Sequence, residues 1–163
     1  MPKYEYVSYT QFEKLMKVLT IFIQARVKEC DFIYAPPRGG WPVAVHLSHS
    51  LQVKPIITPH DISMGKIPYP LKHPEQNHIL FVDDIVDSGK TLTWFNQTIR
   101  RVSANGWNIS VVTCSLFYKP RASVRPDICL RTVSDDTWVV FPWERREDAE
   151  AERSEYVDRQ EID

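Results

Sequence analysis

Three carboxylates and a hydroxyl-bearing turn fall within one short stretch, Ile79-Leu80-Phe81-Val82-Asp83-Asp84-Ile85-Val86-Asp87-Ser88-Gly89-Lys90-Thr91. Its apolar first part predicts a buried parallel strand, and ligands of open α/β sheets collect at the carboxyl ends of such strands. Asp83 and Asp84 are expected at that end. Ser88, Gly89, Lys90 and Thr91 follow with hydroxyls, an ammonium and successive backbone N–H groups where a helix should begin, and helix N-termini favour phosphate. Paired carboxylates beside an anion cradle suit a phosphorylated sugar.

Two plainer readings compete. Asp-Asp after an apolar strand also describes an ordinary strand followed by a capped helix, because Asp and Ser are good N-caps. A nucleotide P-loop also ends in Gly-Lys-Ser/Thr, but its first glycine would fall at position 84, where this chain has Asp. A carboxylate there would face the triphosphate, so the P-loop is set aside. Upstream, Arg38-Gly39-Gly40 follows a short apolar segment, and its guanidinium and N–H groups could grip a second anion. Read alone, it is equally a structural turn.

The elements that must position these residues are readable around them. Ser8 and Gln11 form a capping box, with Val7 and Phe12 as the hydrophobic staple. A helix should therefore start near Tyr9, with Phe12, Leu15, Met16, Leu19, Phe22 and Ile23 on one apolar face. Asp31 to Ala35 and Lys54 to Thr58 read as strands flanking a helix from Trp41 to Leu51. Residues 59–76 form a long polar segment of the kind used as a lid. Leu92, Phe95, Ile99 and Val102 mark a helix that Gly106 terminates, and Ser110 to Tyr118 and Asp127 to Val133 are two further strands. Strands alternating with helices predict an α/β fold with a mostly parallel central sheet flanked by helices.

At 163 residues the chain is expected to be a single domain, 1–163, large enough to bury roughly 70% of its unfolded surface. Its three cysteines, Cys30, Cys114 and Cys129, lie in or beside apolar runs and read as reduced thiols rather than a disulfide framework. No apolar run is long enough to span a bilayer, and the start lacks a signal-peptide pattern, so a cytoplasmic protein is expected. A net charge of -1 supplies no basic field for nucleic acid. Residues 145–163 read as a charged tail.

Residues 79–91 resemble the motif for 5-phosphoribosyl 1-pyrophosphate (PRPP) of the type I phosphoribosyltransferases: mostly apolar residues, two acids, two apolar residues, then Asp-Ser/Thr-Gly-x-Thr. The resemblance implies the fold of that family with a small C-terminal hood. It implies that Asp83 and Asp84 hold the ribose hydroxyls and Mg²⁺, and that Asp87, Ser88, Gly89, Lys90 and Thr91 hold the 5-phosphate. Arg38, Gly39 and Gly40 would bind pyrophosphate, through a loop that in relatives often has a cis peptide. Here either Pro36-Pro37 or Pro37-Arg38 could be that bond.

Phe117-Tyr118-Lys119-Pro120 and Asp135-Asp136-Thr137-Trp138-Val139-Val140-Phe141-Pro142-Trp143-Glu144 are similar to the base-recognition elements of 6-oxopurine phosphoribosyltransferases of the xanthine-guanine type. By that resemblance residues 117–144 form the hood, Lys119 donates to the purine 6-oxo group, and Trp138 and Val139 contact the purine. An ammonium distinguishes an oxo acceptor from the 6-amino group of adenine, and an indole face stacks on the ring. Asp87 is the candidate catalytic acid–base group, Glu144 a further Mg²⁺ ligand, and Ser63, with Lys66, a lid contact to pyrophosphate. The implied partners are PRPP, a purine base and further copies of the chain as a dimer or tetramer. The alternative is a regulator that keeps the fold and senses PRPP or nucleotides.

Overall fold

A computed structural model describes residues 3–53, 56–57, 77–104 and 106–144. The lid segment, with Ser63 and Lys66, and the charged tail lie outside these residues. Five parallel strands form the main sheet: β2 (Phe32–Tyr34), β3 (Ile56–Ile57), β4 (Asn77–Val86), β5 (Ile109–Tyr118) and β6 (Ile128–Thr132), in the order β3-β2-β4-β5-β6. The mostly parallel α/β sheet expected from the sequence is what forms.

Alternation along the strands explains why helices cover both faces. On one face, Ile33, Leu80, Val82, Cys114 and Leu116 join a core with α1 (Tyr9–Arg26) and α2 (Gly40–Leu51). On the other, Phe32, Tyr34, Ile79 and Phe81 pack against Leu92, Phe95 and Ile99 of α3 (Lys90–Ala104). Tyr34, Phe81 and Phe95 form a tight aromatic cluster, with ring centroids 4.5–5.5 Å apart. The long central β4 is thereby clamped from both sides, which fixes the residues at its end.

The capping box at Ser8 is present: Gln11 N–H donates to Ser8 Oγ (3.2 Å) and Ser8 N–H to Gln11 Oε1 (2.8 Å). The apolar face of α1 is narrower than the spacing suggests. Phe12, Met16, Leu19 and Ile23 are buried, but Phe22 is 46% exposed. At 3.6 residues per turn it falls well to one side of the stripe those four define.

Two further strands had no counterpart in the sequence reading. β1 (Lys3–Tyr6) and β7 (Thr137–Val140) pair in parallel as a separate two-stranded sheet, with Tyr4 opposite Trp138 and Glu5 opposite Val139. Val7 N–H continues the ladder to Val140 O (2.8 Å), and Glu5 reaches Arg131 of β6 (2.7 Å). The hood is therefore tied to the N-terminal strand. All three cysteines are free, Cys114 buried and the others partly buried. Among the described residues, no helix is long and apolar enough to cross a membrane.

Candidate active site

β4 does not stop at the acids. It continues through Asp83 and Asp84 to Val86, still paired with β5. Both carboxylates are therefore carried by strand backbone rather than by a loop, Asp83 opposite Ser115 of β5. Asp84 N–H donates to Asp83 Oδ1 (3.0 Å), and Ile85 N–H donates to Asp84 Oδ1 (2.7 Å). Burial, reinforced by Asp84, pushes the Asp83 carboxyl well above its ordinary range. Burial also raises Asp84, to about 6, against the lowering effect of the Ile85 N–H, and nearby Glu144 adds to the rise. The pair is unequal: Asp84 opposes ionisation of Asp83, whereas a hydrogen bond with Asp83 favours the ionised form of Asp84.

The loop before α2 closes directly over this pair. Its Pro37-Arg38 peptide bond is cis, which answers the question left by the sequence. A Cβ at Gly39 would overlap the Asp84 carboxylate, so only glycine lets the backbone come this close. A Cβ at Gly40 would meet Pro36 Cδ and Val82 O, each at 2.9 Å, and Gly40 N–H donates to Pro36 O (3.2 Å). Gly40 thus supports the loop from behind, while Arg38 and Gly39 face the cleft.

After β4 the chain turns through Asp87, Ser88 and Gly89 into α3. Gly89 has φ +79°, and a Cβ there would lie 2.8 Å from Ser123 Oγ. Ser123 N–H also donates to Ser88 O (3.0 Å), so the segment after β5 buttresses this turn. Lys90 is exposed, and Thr91 lines the cleft.

On the opposite wall, Lys119 is not the solvated surface charge that a strand-end lysine usually is. It is 3% exposed, its Nζ lies 2.9 Å from Asp87 Oδ2, and it sits 5.9 Å from the centre of the Trp138 ring. Arg121 contacts the other oxygen of Asp87 through Nε (3.1 Å) and Nη2. Behind Trp138, Phe141 stacks on Trp143 (4.9 Å, 5° between planes), and Trp143 meets Phe12 of α1 edge-on. Glu144 accepts from Phe141 N–H (2.9 Å), closing the hood's last turn.

One cleft of about 530 Å³ gathers these walls, lined among others by Arg38, Gly39, Asp83, Asp84, Asp87, Thr91, Lys119, Trp138, Val139 and Glu144. Gly40, Ser88, Gly89 and Lys90 stand outside its lining. Arg121 and the β1 strand were missed by sequence reasoning. A basic residue closely following the Lys-Pro turn was the only available signal for Arg121, and nothing local marked β1.

A model of the phosphoribosyl transferase domain family matches residues 8–150. The chain belongs to this family. Among its curated relatives, the xanthine-guanine phosphoribosyltransferase of Cereibacter sphaeroides is 29% identical over 66% of this chain and 65% of its own length. The chain thus spans just under two thirds of that relative. Among solved phosphoribosyltransferases, the Helicobacter pylori xanthine-guanine-hypoxanthine enzyme superposes with a TM-score of 0.71 at 22% identity, covering 94% of this chain and 99% of the other. The Pyrococcus horikoshii purine phosphoribosyltransferase gives 0.67 at 24% identity, over 88% and 95%. The shared fold is that of the type I phosphoribosyltransferases.

Proposed function

We propose that the protein transfers ribose 5-phosphate from PRPP to a 6-oxopurine base, releasing pyrophosphate and a purine nucleoside 5′-monophosphate. The observation that carries this is the single cleft in which the Asp83–Asp84 strand end, the Arg38-Gly39 loop and the Lys119–Trp138 wall face one another.

In this reading Asp83 and Asp84 hold the ribose hydroxyls, and the turn from Asp87 to Thr91 receives the 5-phosphate at the α3 N-terminus. Arg38 and the Gly39 backbone face the pyrophosphate. Lys119 donates to the purine 6-oxo group while Trp138 and Val139 cover the ring. The bond from the anomeric carbon to pyrophosphate breaks as a purine ring nitrogen bonds to that carbon, and Asp87 takes the proton that the nitrogen gives up. Positive charge on Arg38 stabilises the departing anion.

The donor set fits a hard, oxygen-seeking cation. Burial raises both carboxyls, so both gain from a divalent charge, and Glu144 lies close enough to raise Asp84 further. Such a pair suits Mg²⁺, an ion that is held through one or two carboxylates, keeps several waters and takes substrate phosphates. When bound, Mg²⁺ would neutralise the diphosphate leaving group. Asp83 and Asp84 would hold it, with Glu144 beside a second ion.

Chromatographic assay of guanine, xanthine and hypoxanthine with PRPP and Mg²⁺ tests the proposal, with nucleotide formation from at least one base as the expected result. Tight PRPP binding without nucleotide from any base would instead favour a PRPP-sensing regulator.

A further inference from the structure

The Asp87 carboxylate serves two cations, one per oxygen: Lys119 Nζ on Oδ2 at 2.9 Å, and the Arg121 fork on Oδ1 through Nε at 3.1 Å and through Nη2. The two cations differ in setting. Lys119 is 3% exposed inside the cleft wall, whereas Arg121 is 35% exposed on its outer side. The backbone around Arg121 is anchored independently of its side chain, since Arg121 N–H donates to Asp135 Oδ1 and Ala122 N–H to Lys119 O, each at 3.0 Å.

This arrangement bears on how Lys119 reaches a purine. In the structure one of its three N–H donors is given to Asp87, and an oxo group that draws the ammonium toward itself weakens its hold on that carboxylate. Withdrawing the partner of a part-buried carboxylate is costly unless a second partner remains. An arginine fork is well suited to remain, because it is always charged and presents several donors in a fixed plane.

We propose that Arg121 is a positioning residue that keeps the Asp87 carboxylate paired and oriented while Lys119 shifts its ammonium from Asp87 toward the oxo group of an incoming purine. The inference rests on the purine site proposed above. Arg121 touches neither the base nor the reacting atoms in this role. Its effect passes through Asp87 to Lys119, so it depends on the charge of Asp87.

The test is equilibrium binding of guanosine 5′-monophosphate, the 6-oxopurine product, to the full chain and its variants, followed by tryptophan fluorescence. Arg121→Met, which keeps bulk but loses the fork, should weaken binding on the order of tenfold, the size expected for one charge-assisted hydrogen bond. Arg121→Lys should recover part of the loss. In an Asp87→Asn background, where Lys119 is no longer held, Arg121→Met should change the affinity by less than about twofold. An unchanged affinity in Arg121→Met, a full tenfold loss persisting in the Asp87→Asn background, or an Arg121→Lys variant as weak as Arg121→Met despite an unaltered melting temperature would each overturn the inference. If the wild-type chain binds no 6-oxopurine nucleotide and makes none, the purine site itself fails and takes the inference with it. If wild type binds and only the Arg121 results disagree, the purine site stands.

Discussion

Asp83 and Asp84 lie near the end of β4 and Asp87 in the turn just after it, yet their surroundings are opposite in kind. The first two lie against each other and against a glycine loop, with the ionisation of both opposed by burial and that of Asp83 opposed further by Asp84. Asp87 is 27% exposed and bridged by two cations of the chain itself. The difference separates two kinds of work. In the proposed reaction the first pair meets the hydroxyls and the cation that the substrate brings. In that reaction Asp87, already paired within the chain, would exchange those partners as it handles a proton at the base.

Removing charge from the buried pair should give the largest effect. Asp83→Asn combined with Asp84→Asn is expected to lower kcat/KM for nucleotide formation on the order of 10³-fold, as ribose contacts and cation binding are lost together. A loss under tenfold in steady-state assays would mean that the pair does not hold the substrate. Asp87→Asn should act differently, cutting kcat roughly 10²-fold while the dissociation constant for PRPP stays within about threefold. If both quantities change in proportion, Asp87 is a PRPP ligand and not the proton-handling group, and the contrast between the two positions collapses.

How much of this contrast was legible beforehand depends on the distance over which each feature is encoded. The Ser8 capping box, the alternation of β4 and the helix beginning at Lys90 are written in neighbouring residues, and each is found where local rules place it. The acids themselves were located correctly, but β4 runs past them to Val86, because continued pairing with β5 outweighs the low strand preference of Asp. Pairing of Lys3–Tyr6 with Thr137–Val140 could not be read, since each strand is only 4 residues long and the two lie at opposite ends of the described chain. Arg121 was missed for a related reason. Its partner Asp87 is 34 positions away, and only the register of β4 with β5 brings them together.

A smaller perturbation asks whether the tight fit at the buried pair matters. At Gly39 an added methyl would overlap the Asp84 carboxylate, so Gly39→Ala must displace either the acid or the loop that carries Arg38. Misplacement of this kind is expected to cost about tenfold or more in kcat/KM. Activity within about twofold of wild type would show that the loop opens freely away from Asp84.

The smallest expected effect is on stability and separates the two positions without any substrate. Asp84 has its carboxyl raised in the folded state from the ordinary 3.8 to about 6, chiefly by burial. Between those values the folded chain holds a proton that the unfolded chain has released, so folding is favoured by acid. The contribution is fully present below 3.8 and is lost as pH rises through about 6. In the metal-free protein, kept in a chelator, Asp84→Asn should therefore raise the melting temperature at pH 7.5 and flatten its decline between about pH 4 and 6, whereas Asp87→Asn, which strands Lys119 and Arg121, should lower it at pH 7.5. Thermal unfolding followed across these pH values checks both signs. A destabilised Asp84→Asn with an unchanged pH slope would mean that the buried pair is already neutralised within the chain, making it the same kind of site as Asp87.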